Sequence, residues 1–311
     1  FQNHSNSSFE KLSLEIFQFQ AKNNHIYKAY LRCLDVIPDE VKQINQIPYL
    51  PIEFFKQENV VCKPNNIGAV FTSSGTSGME SKHIIHDIGI YEKSFTSGFE
   101  YFYGNTKDYT VLALLPSYIE RSGSSLIYMC EKLIKDSGKK ESGFYLNDHK
   151  KLKNLLLELE CQNQKTLLIG VSFALLDFVE KHPMALKNTI VMETGGMKGR
   201  REEMVREELH HILSKRLNVS KIHSEYGMTE LLSQAYSKGN GVFQCPPWMR
   251  VSCRDMNDPL SNNKKSGGIN IIDLANVYSC SFIASQDLGK IAENNKYFEV
   301  LGRFDTSDIR G

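Results

Sequence analysis

Thr166-Leu167-Leu168-Ile169-Gly170-Val171 runs straight into Ser172-Phe173-Ala174-Leu175-Leu176-Asp177-Phe178-Val179, and a further apolar run, Thr189-Ile190-Val191-Met192, follows a short polar gap. The first run reads as a strand buried on both faces, the segment Phe173–Val179 as a helix and Thr189–Met192 as the next strand. Strand, helix, strand is the unit from which parallel sheets are built.

The alternation extends in both directions. Upstream, Ile88–Tyr103 reads as a helix, Tyr109–Leu115 as a buried strand ending at Pro116, and Ser124–Lys135 and Leu152–Cys161 as helices. Downstream come an amphipathic helix over Glu202–Arg216 and a strand over Lys221–Glu225. The fold class is α/β, a mostly parallel sheet with helices on both faces. From about Trp248 the texture changes to short strands between Gly, Asn and Asp turns: Trp248–Cys253, Gly268–Leu274, Tyr278–Ala284 and Tyr297–Leu301. That predicts an antiparallel, barrel-like second part. At the other end, residues 9–35 carry helical spacing broken at Asn23-Asn24, and Ile47–Lys56 reads as an extended segment stiffened by prolines. The expected division is a helical extension over 1–66, an α/β core over 67–245 and a β-rich part over 246–311.

At 311 residues the chain can bury a large core. Its formal net charge of +1, with both signs interspersed, gives no electrostatic footprint for nucleic acid and no polybasic membrane anchor. No apolar run reaches the ~18–20 residues of a membrane span, and the first residues do not form a signal peptide, so a cytoplasmic location is expected. Seven cysteines without a Cys-x-x-Cys pair read as reduced thiols. Both ends look cut.

In parallel sheets ligands gather at the carboxyl ends of the strands. Here that rule selects Pro116-Ser117-Tyr118, Gly170-Val171-Ser172, Glu193-Thr194-Gly195-Gly196 and Tyr226-Gly227-Met228-Thr229-Glu230. Before them lies Thr72-Ser73-Ser74-Gly75-Thr76-Ser77-Gly78, between the β-forming runs Gly68–Phe71 and His83–His86. It presents backbone N–H groups and hydroxyls, with Lys82 close by, to a single anion, although Gly and Ser also make ordinary surface hairpins. It lacks the Walker register. Tyr226–Glu230 offers an aromatic face, a hydroxyl and a carboxylate suited to a base, a phosphate and Mg²⁺; equally, Thr229 can cap a helix with Glu230 in its first turn. Asp287 and Arg303, at strand–turn junctions, can hold a ribose diol or form a surface pair. Gly170-Val171-Ser172-Phe173-Ala174 approaches a nucleophile elbow, which would make Ser172 the nucleophile of an esterase, but the closing Gly is missing. His83 and His86 point to opposite faces of a strand and cannot share a metal, and no zinc pattern exists.

Taken in order and spacing, Ser73–Gly78, Tyr226–Glu230, Asp287 and Gly302-Arg303-Phe304-Asp305 resemble the motifs of the adenylate-forming superfamily, which includes acyl-CoA synthetases, peptide-synthetase adenylation domains and luciferases. The texture of Leu114-Leu115-Pro116-Ser117-Tyr118, Gly195-Gly196-Met197-Lys198-Gly199-Arg200 and Asp308-Ile309-Arg310-Gly311 is most similar to the acyl-protein synthetases of bioluminescence operons. The resemblance covers about Ile47 to Gly311.

It implies that Ser73, Ser74, Gly75, Thr76, Ser77 and Gly78 hold the β- and γ-phosphates of ATP, with Lys82 a further phosphate ligand. Gly195, Gly196 and Tyr226 would flank adenine, Thr229 touch the α-phosphate, Glu230 ligate Mg²⁺, and Asp287 with Arg303 hold the ribose. The implied reaction converts a carboxylic acid, by resemblance a fatty acid, to an acyl-adenylate, followed by transfer to a thiol of CoA, a carrier protein or a protein cysteine. Two departures stand out: Ser81 occupies the customary lysine position with Lys82 one later, and the small mobile domain that follows the final motif is absent. A core that binds nucleotide or acyl group without turnover is the alternative.

Overall fold

The structure is a computed structural model that describes residues 1, 5–63, 67–73, 80–116, 122–195, 204–256, 258, 260–261, 264–292 and 296–303. In chain order its elements are α1 (Asn6–Asn23), α2 (His25–Cys33), β1 (Leu50–Pro51), α3 (Phe54–Gln57), β2 (Ala69–Thr72), β3 (Lys82–Ile85), α4 (Ile88–Tyr103), β4 (Thr110–Leu114), α5 (Ser125–Ser137), β5 (Gly143–Phe144), α6 (His149–Cys161), β6 (Thr166–Val171), α7 (Ser172–Lys181), β7 (Thr189–Thr194), α8 (Arg206–Leu217), β8 (His223–Tyr226), β9 (Ala235–Ser237), β10 (Val242–Gln244), β11 (Met249–Arg254), β12 (Ser266–Asp273), β13 (Phe282–Ile291) and β14 (Tyr297–Arg303).

One sheet carries nearly all the strands, in the order β11-β12-β13-β14-β10-β9-β8-β7-β6-β4-β5, with β1 added alongside β13. From β5 to β8 the pairs are parallel; from β8 to β11 they are antiparallel. The expected parallel and antiparallel parts are both present, and they are continuous. β9 and β10, for which no strand was expected, make the join. The hairpin β2–β3 stands apart as a two-stranded sheet.

Val111, Leu112, Ala113 and Leu114 of β4 and Leu167 and Leu168 of β6 are wholly buried, as expected of strands covered on both faces. Each such aliphatic side chain contributes about 1.5–3 kcal/mol by leaving water. The helix break at Asn23-Asn24 has a direct cause. The Asn24 N–H closes α1 on the Gln20 carbonyl, while its side chain accepts from the Ile26 and Tyr27 N–H groups and starts α2.

Several boundaries differ from expectation. The strand expected over Tyr278–Ala284 begins at Phe282, because Leu274–Asn276 forms a 3₁₀ turn and the Ser281 N–H is taken by the Gln20 side chain. Within Ile47–Lys56 only Leu50–Pro51 is a strand, and Phe54 onward turns helical. The helix expected from Glu202 starts at Arg206. Among the described residues no helix is long and apolar enough to cross a membrane, and all seven cysteines are unpaired.

Candidate active site

The register of the parallel strands levels their carboxyl ends: Leu114 lies opposite Gly170, Val171 opposite Thr194, and Thr194 opposite Glu225. The loops chosen from sequence therefore share one edge. Gly170, within β6, lets that strand lie close against Leu114 of β4 and Leu175 of α7. A Cβ at this position would sit 2.8 Å from the Leu114 Cβ and 3.0 Å from the Leu175 Cγ. Gly195 follows β7 with φ +60°, a left-handed conformation suited to glycine.

Ser172 starts α7, but it is buried and its hydroxyl donates to the Gly195 carbonyl at 2.8 Å, with Glu193 at 3.5 Å. His210 approaches the far side of Glu193, 3.6 Å from its carboxylate. The carboxylate thus lies between serine and histidine, whereas a nucleophilic serine needs the histidine next to it. This arrangement ties β6 to β7 and does not activate Ser172.

On the antiparallel side, Asp287 and Arg303 face each other across β13 and β14. The Arg303 Nε donates to Asp287 Oδ1 at 3.1 Å, and the Tyr226 hydroxyl donates to Asp287 Oδ2 at 2.7 Å. Asp287 is buried while the guanidinium is largely exposed. The Tyr226 ring packs edge-on against Phe243 and Phe298, so β8 and β13 are joined by one phenol and one carboxylate. Burial pushes the phenol well up, and the neighbouring Asp287 carboxylate reinforces the shift, so Tyr226 stays a donor.

Glu230 lies in the turn after β8 and is 5% exposed. Burial raises its carboxyl above the usual range; the nearby Ser81 hydroxyl opposes this, and Arg303 opposes it more weakly. Ser81 closes the neck of the candidate phosphate loop. Its N–H donates to Ser73 Oγ at 2.9 Å, and the Ser73 N–H donates back to the Ser81 carbonyl at 3.1 Å. Glu230 is thereby placed directly at the loop's base. Lys82 is exposed and pairs with Thr72, on the opposite face of the ladder from His83.

Behind Glu230 lies a buried cluster. His83 Nδ1 is 2.8 Å from the Thr229 carbonyl and Nε2 is 3.0 Å from Asn276 Oδ1, while Asn276 Nδ2 donates to the Glu230 carbonyl at 2.7 Å. That last bond turns the amide oxygen toward the imidazole. Both ring nitrogens therefore face acceptors, and a neutral ring can donate to only one of them. Burial nonetheless holds the His83 pKa down to about 4, against the pull of the two acceptors.

Of the residues singled out from sequence, the fold brings Ser73, Thr229 and Glu230 together, and Tyr226, Asp287 and Arg303 beside them. Thr229 and Glu230 lie in a turn, not at the start of a helix. Ser74, Gly75, Thr76, Ser77, Gly78 and Gly196 lie outside the described residues. Sequence reasoning missed the roles of Ser81, His83 and Asn276; for His83 the signal was a histidine at an inward position of a strand beside the loop. Among the described residues no three His, Cys, Asp or Glu side chains gather to hold a metal. A single buried carboxylate beside a phosphate loop does suit Mg²⁺, which keeps several waters and takes the rest of its ligands from phosphate.

No curated protein sequence matches the chain. Residues 2–117 match the family model of the acyl-protein synthetase, LuxE. A solved 2-hydroxyisobutyryl-CoA ligase, in the postadenylation state with 2-HIB-AMP, is 12% identical with a TM-score of 0.67, covering 96% of this chain and 68% of its own. McyG A-PCP complexed with phenylalanyl-adenylate is 16% identical with a TM-score of 0.55, covering 95% and 55%. The O-succinylbenzoate coenzyme A synthetase MenE from Bacillus subtilis, with ATP and magnesium ion, is 16% identical with a TM-score of 0.53, covering 78% and 51%. The chain thus spans between about half and two thirds of these solved chains. Over nearly its whole length the chain therefore has the fold of these adenylate-forming ligases, and residues 2–117 match the acyl-protein synthetase family model.

Proposed function

We propose that this chain activates a carboxylic acid with ATP, forming an acyl-adenylate and releasing pyrophosphate. The observation that carries the reading is the buried Glu230 carboxylate beside Ser81, which closes the neck of the loop that begins at Ser73. In the reaction a carboxylate oxygen of the acid bonds to the α-phosphorus while the bond from that phosphorus to the pyrophosphate oxygen breaks. No side-chain nucleophile is required, and the work is positioning and charge neutralisation.

The loop from Ser73 to Gly78, with Lys82, receives the β- and γ-phosphates. Thr229 meets the α-phosphate, and Glu230 holds Mg²⁺, whose charge neutralises the leaving pyrophosphate. Asp287 and Arg303 hold the ribose diol, with the carboxylate accepting and Tyr226 fixing its direction. Gly195, Gly196 and the edge of Tyr226 flank the adenine. The acid is a fatty acid, and the acyl group passes to a thiol of CoA, a carrier protein or a protein cysteine; the support is the family match of residues 2–117. The unpaired cysteines are in keeping with a cytoplasmic setting.

The test is acid-dependent ATP–pyrophosphate exchange across fatty and aryl acids of graded length. Glu230→Gln should cut Mg²⁺-dependent exchange to a small residual rate while calorimetry still finds nucleotide bound with nearly unchanged affinity. Should no acid support exchange by the intact protein while ATP still binds, the chain is a binding module and the ligase reading fails.

A further inference from the structure

Resting on the ligase reading, a second role can be assigned to side chains that touch none of the reacting groups. We propose that His83 and Asn276 form a positioning pair that sets the Glu230 carboxylate against the phosphate loop.

The geometry is a clamp on two consecutive carbonyls. Asn276 Nδ2 donates to the Glu230 carbonyl at 2.7 Å, His83 Nδ1 lies 2.8 Å from the Thr229 carbonyl and Nε2 lies 3.0 Å from Asn276 Oδ1, the single N–H of the neutral ring serving the shorter contact, to Thr229. Each half comes from a different element. His83 is on β3, two residues beyond Ser81, and Asn276 ends the 3₁₀ turn after β12. Residues 227–234 form no helix and no strand, so this turn has no regular hydrogen-bond ladder of its own.

All three partners are removed from water: His83 is wholly buried, Asn276 is 1% exposed and Glu230 is 5% exposed. The His83 ring also meets the edge of Phe55, 5.5 Å between centroids, which fixes its plane. A buried polar group that loses its partner keeps its full desolvation cost, so the turn cannot relax without penalty when either member is removed. Ser81 immediately precedes β3 and His83 lies on it, so the position of the loop neck and the position of Glu230 are set by the same piece of backbone. The pair therefore links the neck of the proposed phosphate loop to the carboxylate that would hold the neutralising cation.

The experiment compares His83→Ala, Asn276→Ala and the conservative His83→Asn in the intact protein, each also combined with Glu230→Gln. Exchange kinetics should show kcat lowered roughly 10- to 100-fold by either alanine variant, with KM for ATP changed less than about threefold, since a displacement near 1 Å is costly to chemistry and not to binding. His83→Asn, whose amide can still donate to the Thr229 carbonyl, should recover most of that loss. In the Glu230→Gln background the alanine substitutions should do almost nothing more to residual exchange, because they act through that carboxylate. An equal loss in both backgrounds, or a loss that His83→Asn does not recover, overturns the proposal.

Hydrogen exchange gives a readout independent of turnover. Amides of 227–233 should lose protection by about tenfold or more in both alanine variants while those of β4 and β6 keep theirs. Unchanged protection at 227–233 overturns the pair even if the wild-type protein exchanges pyrophosphate. If wild-type protein supports no exchange with any acid, the ligase reading fails on its own, and the protection data still decide whether the clamp exists.

Discussion

Replacing His83 by asparagine should change the pH dependence of folding stability in a direction that two opposed forces contest. An imidazole ordinarily titrates near 6.5, and burial holds this one down to about 4. Its two acceptors, the Thr229 carbonyl and Asn276 Oδ1, pull the other way, because only the doubly protonated ring donates to both. If burial prevails, the unfolded chain binds a proton at His83 that the folded chain refuses. Stability is then fully present above pH 6.5 and lost as pH falls toward 4. At about 1.4 kcal/mol per pH unit, the loss across that window sums to roughly 3 kcal/mol. Urea unfolding followed by circular dichroism from pH 7.5 to 4.5 measures it. Glu230 and Asp273, buried carboxyls held above their usual range, act with the opposite sign, gaining stability as pH falls and losing it as pH rises through their folded values. Both proteins share them, so the difference between wild type and His83→Asn isolates the ring. The gap in favour of the wild type should narrow by about 2–3 kcal/mol on acidification. A gap that stays constant, or widens, would show that the acceptors hold the ring as imidazolium and that the reasoning from burial is wrong.

Asp287→Asn keeps the size of the group and removes the charge that accepts from Tyr226 and Arg303. KM for ATP in the exchange assay should rise roughly 10- to 100-fold, the equivalent of a lost charged hydrogen bond, and Tyr226→Phe should give a smaller rise. Gly170→Ala places a methyl 2.8 Å from the Leu114 Cβ, so urea unfolding should show a loss of about 1–3 kcal/mol. Ser172→Ala gives up its bond to the Gly195 carbonyl, at a cost of about 1 kcal/mol in the same measurement. It should leave exchange intact and abolish no ester hydrolysis; a hydrolase activity that vanished with Ser172 would restore the esterase reading.

The elements read best from sequence were those in which local and tertiary demands agree. Thr166–Val171 is a strand to the residue, and Ile88–Tyr103 a helix to the residue, because an uninterrupted β-forming run and an apolar helical stripe each match the face they bury. β9 and β10 are three residues each, too short for any period to register, yet they join the parallel strands to the antiparallel ones. The error at Tyr278–Ala284 was of another kind. Its first residues have strand composition, but Gln20, more than 250 positions away in the chain, takes the Ser281 N–H that a ladder would have used. A single sequence offers no way to see so distant a competitor.

The same distinction separates the site residues that were read from those that were not. Tyr226, Asp287 and Arg303 could be selected because each is a chemically conspicuous group; Asp287, expected at a strand–turn junction, lies inside β13, and the register of β13 with β14 pairs it with Arg303. Ser81 was seen only as a missing lysine. In the folded chain a hydroxyl at that position does something a lysine would do differently: it sits beside Glu230 and favours its ionised form without adding a charge. Arg303 is left as a positive group whose charge reaches that carboxylate. His83 was set aside because a strand histidine three residues from another cannot share a metal with it, which is true, and which tested only one of the things a buried imidazole can do. Its shorter contact is to a backbone carbonyl, that of Thr229, and backbone carbonyls leave no mark in a sequence. Reading such a residue from sequence would need a different question: which buried polar side chain lies beside a loop whose backbone groups have no ladder to join. Here that question leads to His83 and Asn276, and to the carboxylate whose position they share.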